Sequence, residues 1–279
     1  MKKTLFKIAF LLSFASVVAA AQNTSFVKSG DDDDETAKNF VAPKVFQAAG
    51  PTVASIQSTV DEYRAALGQP NNGNLTAQAS GRREINWDGG GANTTTAPVT
   101  PFNVFLNTRG GQFTTPGLGL SQATPAGLAV LFDNPSYANI FRTFSPLRLF
   151  TPVGSNITDA QFFLAGSNGT VPAAVTGFGA VFTDVDQPNG SGPGNKHGNR
   201  KASTEIQYYA ADGQLLFSSF VPASPGDGNL SFLGIVFDDA RIARVRIIAG
   251  NVVPGPNDSQ KEDVVMMDDF IYGEPQRLQ

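Results

Sequence analysis

Apolar and polar residues along most of this chain fall into short runs, each closed by Gly, Pro, Asn or Asp, and this is the punctuation of β-strands. From residue 82 onward the pattern predicts strands over 83–87, 102–106, 112–115, 128–132, 147–151, 161–164, 175–183, 204–210, 214–221, 230–237, 242–249 and 263–272. The clearest hairpin joins 204–210 to 214–221 through Ala211-Asp212-Gly213, because Asp-Gly adopts the positive φ of a tight turn. One segment has a different period. In PTVASIQSTVDEYRAALGQP, Ile56, Val60, Tyr63 and Leu67 recur at three- and four-residue spacing, with Thr52 as a cap and Gly68 and Pro70 beyond the end. Many short strands with a single helix predict an all-β protein, a β-sandwich or jelly roll carrying one N-terminal amphipathic helix.

The first 21 residues set Lys2, Lys3 and Lys7 ahead of an apolar run that meets Ala19, Ala20 and Ala21, the layout of a secretory signal peptide. No other long uncharged apolar segment follows, so a secreted chain without a membrane span is expected, extracellular or periplasmic. Residues 22–50 hold the acidic run 31–35 in a polar setting and read as a disordered leader. The helix is then expected over 51–68, a polar Asn- and Gly-rich linker over 69–81, and a single β-sandwich domain over 82–275. Within that domain 186–201 reads as a flexible loop.

Cysteine is absent, which excludes disulfides and thiolate chemistry. Removal of residues 1–21 takes away three lysines and no acid, leaving 17 basic residues against 24 acidic ones and a net charge of −7. That balance argues against nucleic acid as a partner. The only histidine, His197, lies in the glycine-rich loop, so neither a multi-histidine zinc site nor a well-founded Ser-His-Asp triad is expected. Phosphate-cradling and dinucleotide fingerprints are missing from the sequence.

Paired acids carry the candidate chemistry. In the last strand, DVVMMDDFIYG, Asp268 and Asp269 interrupt an apolar run. Simple alternation puts Asp268 on the face of Val264, Met266, Phe270 and Tyr272, and Asp269 on that of Val265, Met267 and Ile271. Carboxylates in a strand covered on both faces need a cation or a set of donors. Asp184 and Asp186 share a face with Phe178, Ala180 and Phe182 at the end of another strand. If the terminal pair lies beside them, the four can hold a structural calcium ion. Arginine is the rival: Arg244 and Arg246 point away from Ala243, Val245 and Ile247 and can pair with Asp238, Asp239 or the terminal acids. The two readings can coexist. A third group, Glu84, Trp87 and Asp88, is a candidate ligand site in which Trp87 stacks on a sugar and the carboxylates take hydroxyls; packing of Trp87 in the core is the alternative. Glu84 and Asp88 as a hydrolytic acid–base pair would stand too far apart on an extended strand unless the chain turns.

Together GFGAVFTDVD, LSFLGIVFDDARIARVRIIAGN and VVMMDDFIYGEP resemble segments of uncharacterised secreted bacterial β-sandwich proteins, similar to exported proteins sorted by a PEP-CTERM tail and to jelly-roll carbohydrate-binding modules. The resemblance covers about residues 81–275. It implies a sandwich fold and nominates Asp184, Asp186, Asp268 and Asp269 as calcium ligands. The chain ends in GEPQRLQ, without the Pro-Glu-Pro motif, apolar helix and basic end of the sorted proteins, so sorting by that route is not expected. The expectation is therefore a non-catalytic β-sandwich that binds a glycan or cell-surface ligand. The alternatives are a glycan-active hydrolase and a structural surface or matrix protein with no small ligand.

Overall fold

The computed structural model describes residues 42–89, 95–186, 204–256 and 262–278. The expected signal peptide, the leader as far as residue 41, and His197 with most of its loop lie outside them. In chain order the elements are β1 (Lys44–Gly50), α1 (Val53–Leu67), β2 (Arg82–Ile85), α2 (Leu106–Arg109), β3 (Gly111–Thr114), β4 (Gly119–Ala123) and α3 (Pro125–Leu131). There follow α4 (Tyr137–Ile140), β5 (Leu149–Val153), β6 (Ile157–Phe163), β7 (Pro172–Ala174), β8 (Gly177–Thr183) and β9 (Glu205–Tyr209). The last are β10 (Leu215–Phe220), β11 (Leu230–Val236), β12 (Arg244–Ile248), β13 (Met266–Gly273) and β14 (Gln276–Arg277).

These strands make two antiparallel sheets. Sheet A runs β1-β11-β8-β13-β5-β4, with β2 also on β13; sheet B runs β10-β9-β12-β6-β7-β14, with β3 also on β6. Their inner faces meet in one core, where Phe150, Phe178, Phe182, Leu233 and Phe270 from sheet A face Phe113, Phe162, Ile206, Tyr208 and Val245 from sheet B. The fold is thus the expected all-β sandwich. The hairpin β9–β10 forms where the sequence predicts it, closed by Ala210 N–H to Gln214 O (2.9 Å) with Gly213 at φ +87°.

Helix α1 covers the outer face of sheet A. Its buried stripe is Ile56, Val60, Tyr63 and Leu67, and it ends at Gly68 with φ +97°. Thr52 occupies the N-cap position, but its hydroxyl meets Ser55 Oγ (2.9 Å) rather than a helix N–H. The helix lies close because the sheet beneath it lacks side chains. A Cβ on Gly179 would come within 2.9 Å of the Tyr63 ring, and one on Gly234 within 2.8 Å. The Tyr63 hydroxyl donates toward the carbonyls of Ile235 (3.4 Å) and Ile271 (3.3 Å). Short helices α3 and α4 cover a second patch of the same face with Leu128, Tyr137 and Ile140 over Leu149 and Met266. No helix among the described residues is long and apolar enough to cross a membrane.

Several expected elements are corrected. The end of the leader is a strand: β1 pairs along its length with β11. Residues 128–132 fall in and after helix α3, since Thr124 caps it by accepting from Gly127 N–H (3.0 Å) and Pro125 opens it. Residues 102–106 make a single bridge at Phe102 before the chain turns into α2. The polar linker is ordered. Asn72, Gln78 and the carbonyls of Asn74 and Thr76 wrap an ion pair between Arg83 and Glu274, whose side chains are 0% and 1% exposed.

Candidate functional site

The site forms where β13 changes partners. On one flank, β13 pairs with β5 at Met267 and with β2 from Phe270 to Gly273. On the other, Met267 faces Phe182 while Phe270 faces Ala180, so β13 carries one extra residue, a β-bulge at Asp268–Asp269. The bulge reverses the alternation. Val265 and Met267 point into the core before it, Phe270 and Tyr272 after it. Both aspartates therefore leave the core on the outer face of sheet A, which corrects the expectation that they sit on opposite faces.

Main-chain and hydroxyl donors meet them there. Asp268, fully buried, accepts from Phe144 N–H (2.6 Å) and Asp269 N–H (2.9 Å), and Ser145 Oγ donates to Asp269 (2.5 Å). The nearest cation is Arg64 of α1, whose Nη2 is 3.5 Å from Asp269 and 2.9 Å from Glu84. Burial, and then the neighbouring Asp269 carboxylate, push Asp268 well above the usual carboxylate range. Burial also raises Asp269, against the opposing pull of Ser145 and Arg64. Burial alone would lower Arg64, but Glu84, Asp61 and Asp269 together raise it and keep it charged.

Around this corner lies a cleft of about 360 Å³. Helix α1 gives it Arg64, β2 and the turn after it give Glu84 and Asn86, and the bulge gives Asp269. Arg109 at the end of α2 completes it, with Asn71 and Ser145 from two separate connections. Every lining side chain is polar. Glu84 is clamped between Arg64 and Arg82, with Arg82 Nε at 2.6 Å. Arg109 is braced on the carbonyls of Glu84 (3.0 Å) and Gly73 (2.9 Å).

Of the expected ligand residues, only Glu84 lines this cleft. Trp87 is 0% exposed, stacked on Phe150 at 3.7 Å and edge-on to Phe113 and Phe270; its indole N–H donates to the Asp268 carbonyl (3.0 Å). No ring face is open to a sugar, so the stacking role is corrected and the core alternative is what is found. Asp88 ties the chain leaving β2 to the chain entering β5 by accepting from Leu147 N–H and Arg148 N–H (3.0 Å).

The four aspartates nominated for calcium fall into two pairs. At the end of β8, Asp184 has φ +71°, which breaks the strand's alternation so that Val185, not Asp184, re-enters the core. Asp186 Oδ1 accepts from Gly226 N–H (2.9 Å), and its own N–H donates to Asp263 Oδ1 (3.2 Å). Thr183 lies across from Met266, before the bulge, so this pair does not reach Asp268 and Asp269. Among the described residues no three acidic or histidine side chains gather to hold a metal ion. The arginine alternative is also corrected. Arg246 and Arg244 do point outward, but they pair with Asp159 across β12 and β6, at 2.8 and 3.4 Å.

Sequence reasoning did not find Arg64, Asn71, Asn86, Arg109 or Ser145. The available signal was Arg64, which flanks the apolar stripe of α1 beside Tyr63 and so had to lie near the sheet. No family model matches the chain, and comparison with curated proteins and with solved structures finds no match.

Proposed function

We propose that this chain is a secreted, non-catalytic β-sandwich that binds a polyhydroxylated ligand, a short stretch of glycan, in the cleft between α1, β2 and the β13 bulge. The observation that carries this reading is the cleft's lining: carboxylate, guanidinium, amide and hydroxyl groups around about 360 Å³. That volume is at the lower end of the roughly 300–1,000 Å³ of small-molecule sites, which suits one or two sugar rings. Vicinal hydroxyls both donate and accept, so Glu84 and Asp269 serve as acceptors and Asn86 and the arginines as donors. With no aromatic platform in the cleft, recognition rests on hydrogen bonds, and affinity is modest.

The hydrolase alternative has one observation in its favour: Glu84 and Asp269 share Arg64 Nη2. The same fact weighs more against it, because the guanidinium occupies the space between the carboxylates where a glycosidic oxygen would have to sit. An oligosaccharide array with the full chain tests the reading. Binding of a restricted set of glycans is expected, with a loss of about tenfold or more in Asn86→Ala and Glu84→Ala. Binding that survives both substitutions would remove it from this cleft, and release of reducing sugar from the panel would favour the hydrolase.

A further inference from the structure

One cation of the cleft has no counter-charge. Arg64 and Arg82 share Glu84, whereas among the described residues no carboxylate lies within ion-pair distance of Arg109. The guanidinium of Arg109 is nonetheless fixed: Nε donates to the Glu84 carbonyl (3.0 Å), and Nη1 donates to the carbonyls of Gly73 (2.9 Å) and Thr108 (3.3 Å). Its own carbonyl is held by the Tyr272 hydroxyl (3.0 Å). Three of its five N–H groups are thereby used, and the two on Nη2 have no partner among the described residues. A half-buried arginine braced in this way offers a pre-set donor pair, with the side-chain entropy of binding already lost on folding.

We infer that the cleft selects acidic sugars, with the carboxylate of a uronic-acid residue docking on Nη2 of Arg109 while the ring hydroxyls meet Glu84, Asn86 and Asn71. The inference rests on the proposed glycan reading and adds the charge of the ligand. Two features carry it. The guanidinium is rigid, and the two carboxylates of the cleft already have partners: Glu84 is held by Arg64 and Arg82, and Asp269 by Ser145 and Arg64. A neutral sugar satisfies Nη2 with a hydroxyl, but it forgoes the charge-assisted bond.

The test uses the full secreted chain and one oligosaccharide in two forms, an oligogalacturonate and its methyl ester, which differ in charge and hardly in shape. Calorimetric titration is expected to show the free acid binding about tenfold tighter or more, with the advantage shrinking as salt rises. In Arg109→Gln the advantage should disappear, the free acid falling to the ester's affinity or below. If that variant is destabilised, the Nε resonance of Arg109 in the wild-type chain gives the same information, since it should shift further with the acid than with the ester. Equal affinity for acid and ester would overturn the inference and leave neutral-glycan binding standing. An acid preference that persists in Arg109→Gln would overturn the assignment to Arg109. If neither form nor any neutral glycan binds, the cleft reading falls, and this inference with it.

Discussion

Sheet A is covered on both faces and sheet B on one, and arginine–carboxylate pairs behave differently in the two places. At the end of sheet A, Arg83 and Glu274 form a bidentate pair at 2.7 Å on both bonds. The remaining Arg83 N–H groups go to the carbonyls of Asn74, Thr76 and Thr108, so that all five donors are used. Glu274 in turn accepts from Asn72 Nδ2 and Gln78 N–H. On sheet B the matching pair, Arg246 with Asp159, lies on the outer face with the arginine side chain 36% exposed. The strands there alternate buried and half-exposed positions, as a sheet with one wet face does. The same two side-chain types thus serve as a structural tie where water is excluded and as a solvated decoration where it is not.

Three substitutions test that contrast, in descending size of effect. Glu274→Ala strands a buried guanidinium together with two donors that fed the carboxylate, and should cost about 3–5 kcal/mol by urea denaturation. A loss below about 1 kcal/mol would mean that the network does not hold the linker to the sandwich.

Asp269→Asn concerns pH. Asp268 and Asp269 bind protons more readily in the folded chain than in the unfolded one, because their folded-state values are raised. Their contribution to stability is therefore largest in acid and declines as pH rises from the ordinary carboxylate range of about 4 toward the raised values. Removing one acid of the pair removes the like-charge repulsion, so the variant should lose less stability than wild type as pH rises above about 4. Parallel melting curves for the two chains across that range would contradict the coupling.

Arg246→Ala should cost no more than about 1 kcal/mol, and less as salt rises. A cost near that of Glu274→Ala would erase the distinction between the two sheets.

How far the site was legible follows from the range of each signal. The Asp-Gly hairpin, the helical stripe of α1 and the outward arginines of β12 are written within a few neighbouring residues, and each formed as read. Strand β4, GLSQA, carries one large apolar side chain and gave no signal, yet it is buried throughout. Ser121 Oγ donates there to the Thr96 carbonyl, and the Gln122 amide nitrogen donates to the carbonyls of Trp87 and Gly89. The bulge is likewise invisible in DVVMMDDFIYG, because an extra residue is defined only against a partner strand. Its outcome put both aspartates on the outer face of the sheet and brought Asp269 to the cleft.

The sequence by itself determined a β-rich sandwich with one amphipathic helix laid against it, since strand alternation and helical spacing are local consequences of backbone geometry. Glycines at 179 and 234 left room for Tyr63, although only the packed helix shows what they are for. The tertiary structure alone decided which charges met. Arg83 and Glu274 are 191 residues apart, and Trp87 and Asp268 are 181 apart. Such encounters depend on strand order and register, which are fixed by burying the whole inner face at once rather than by any short stretch of chain.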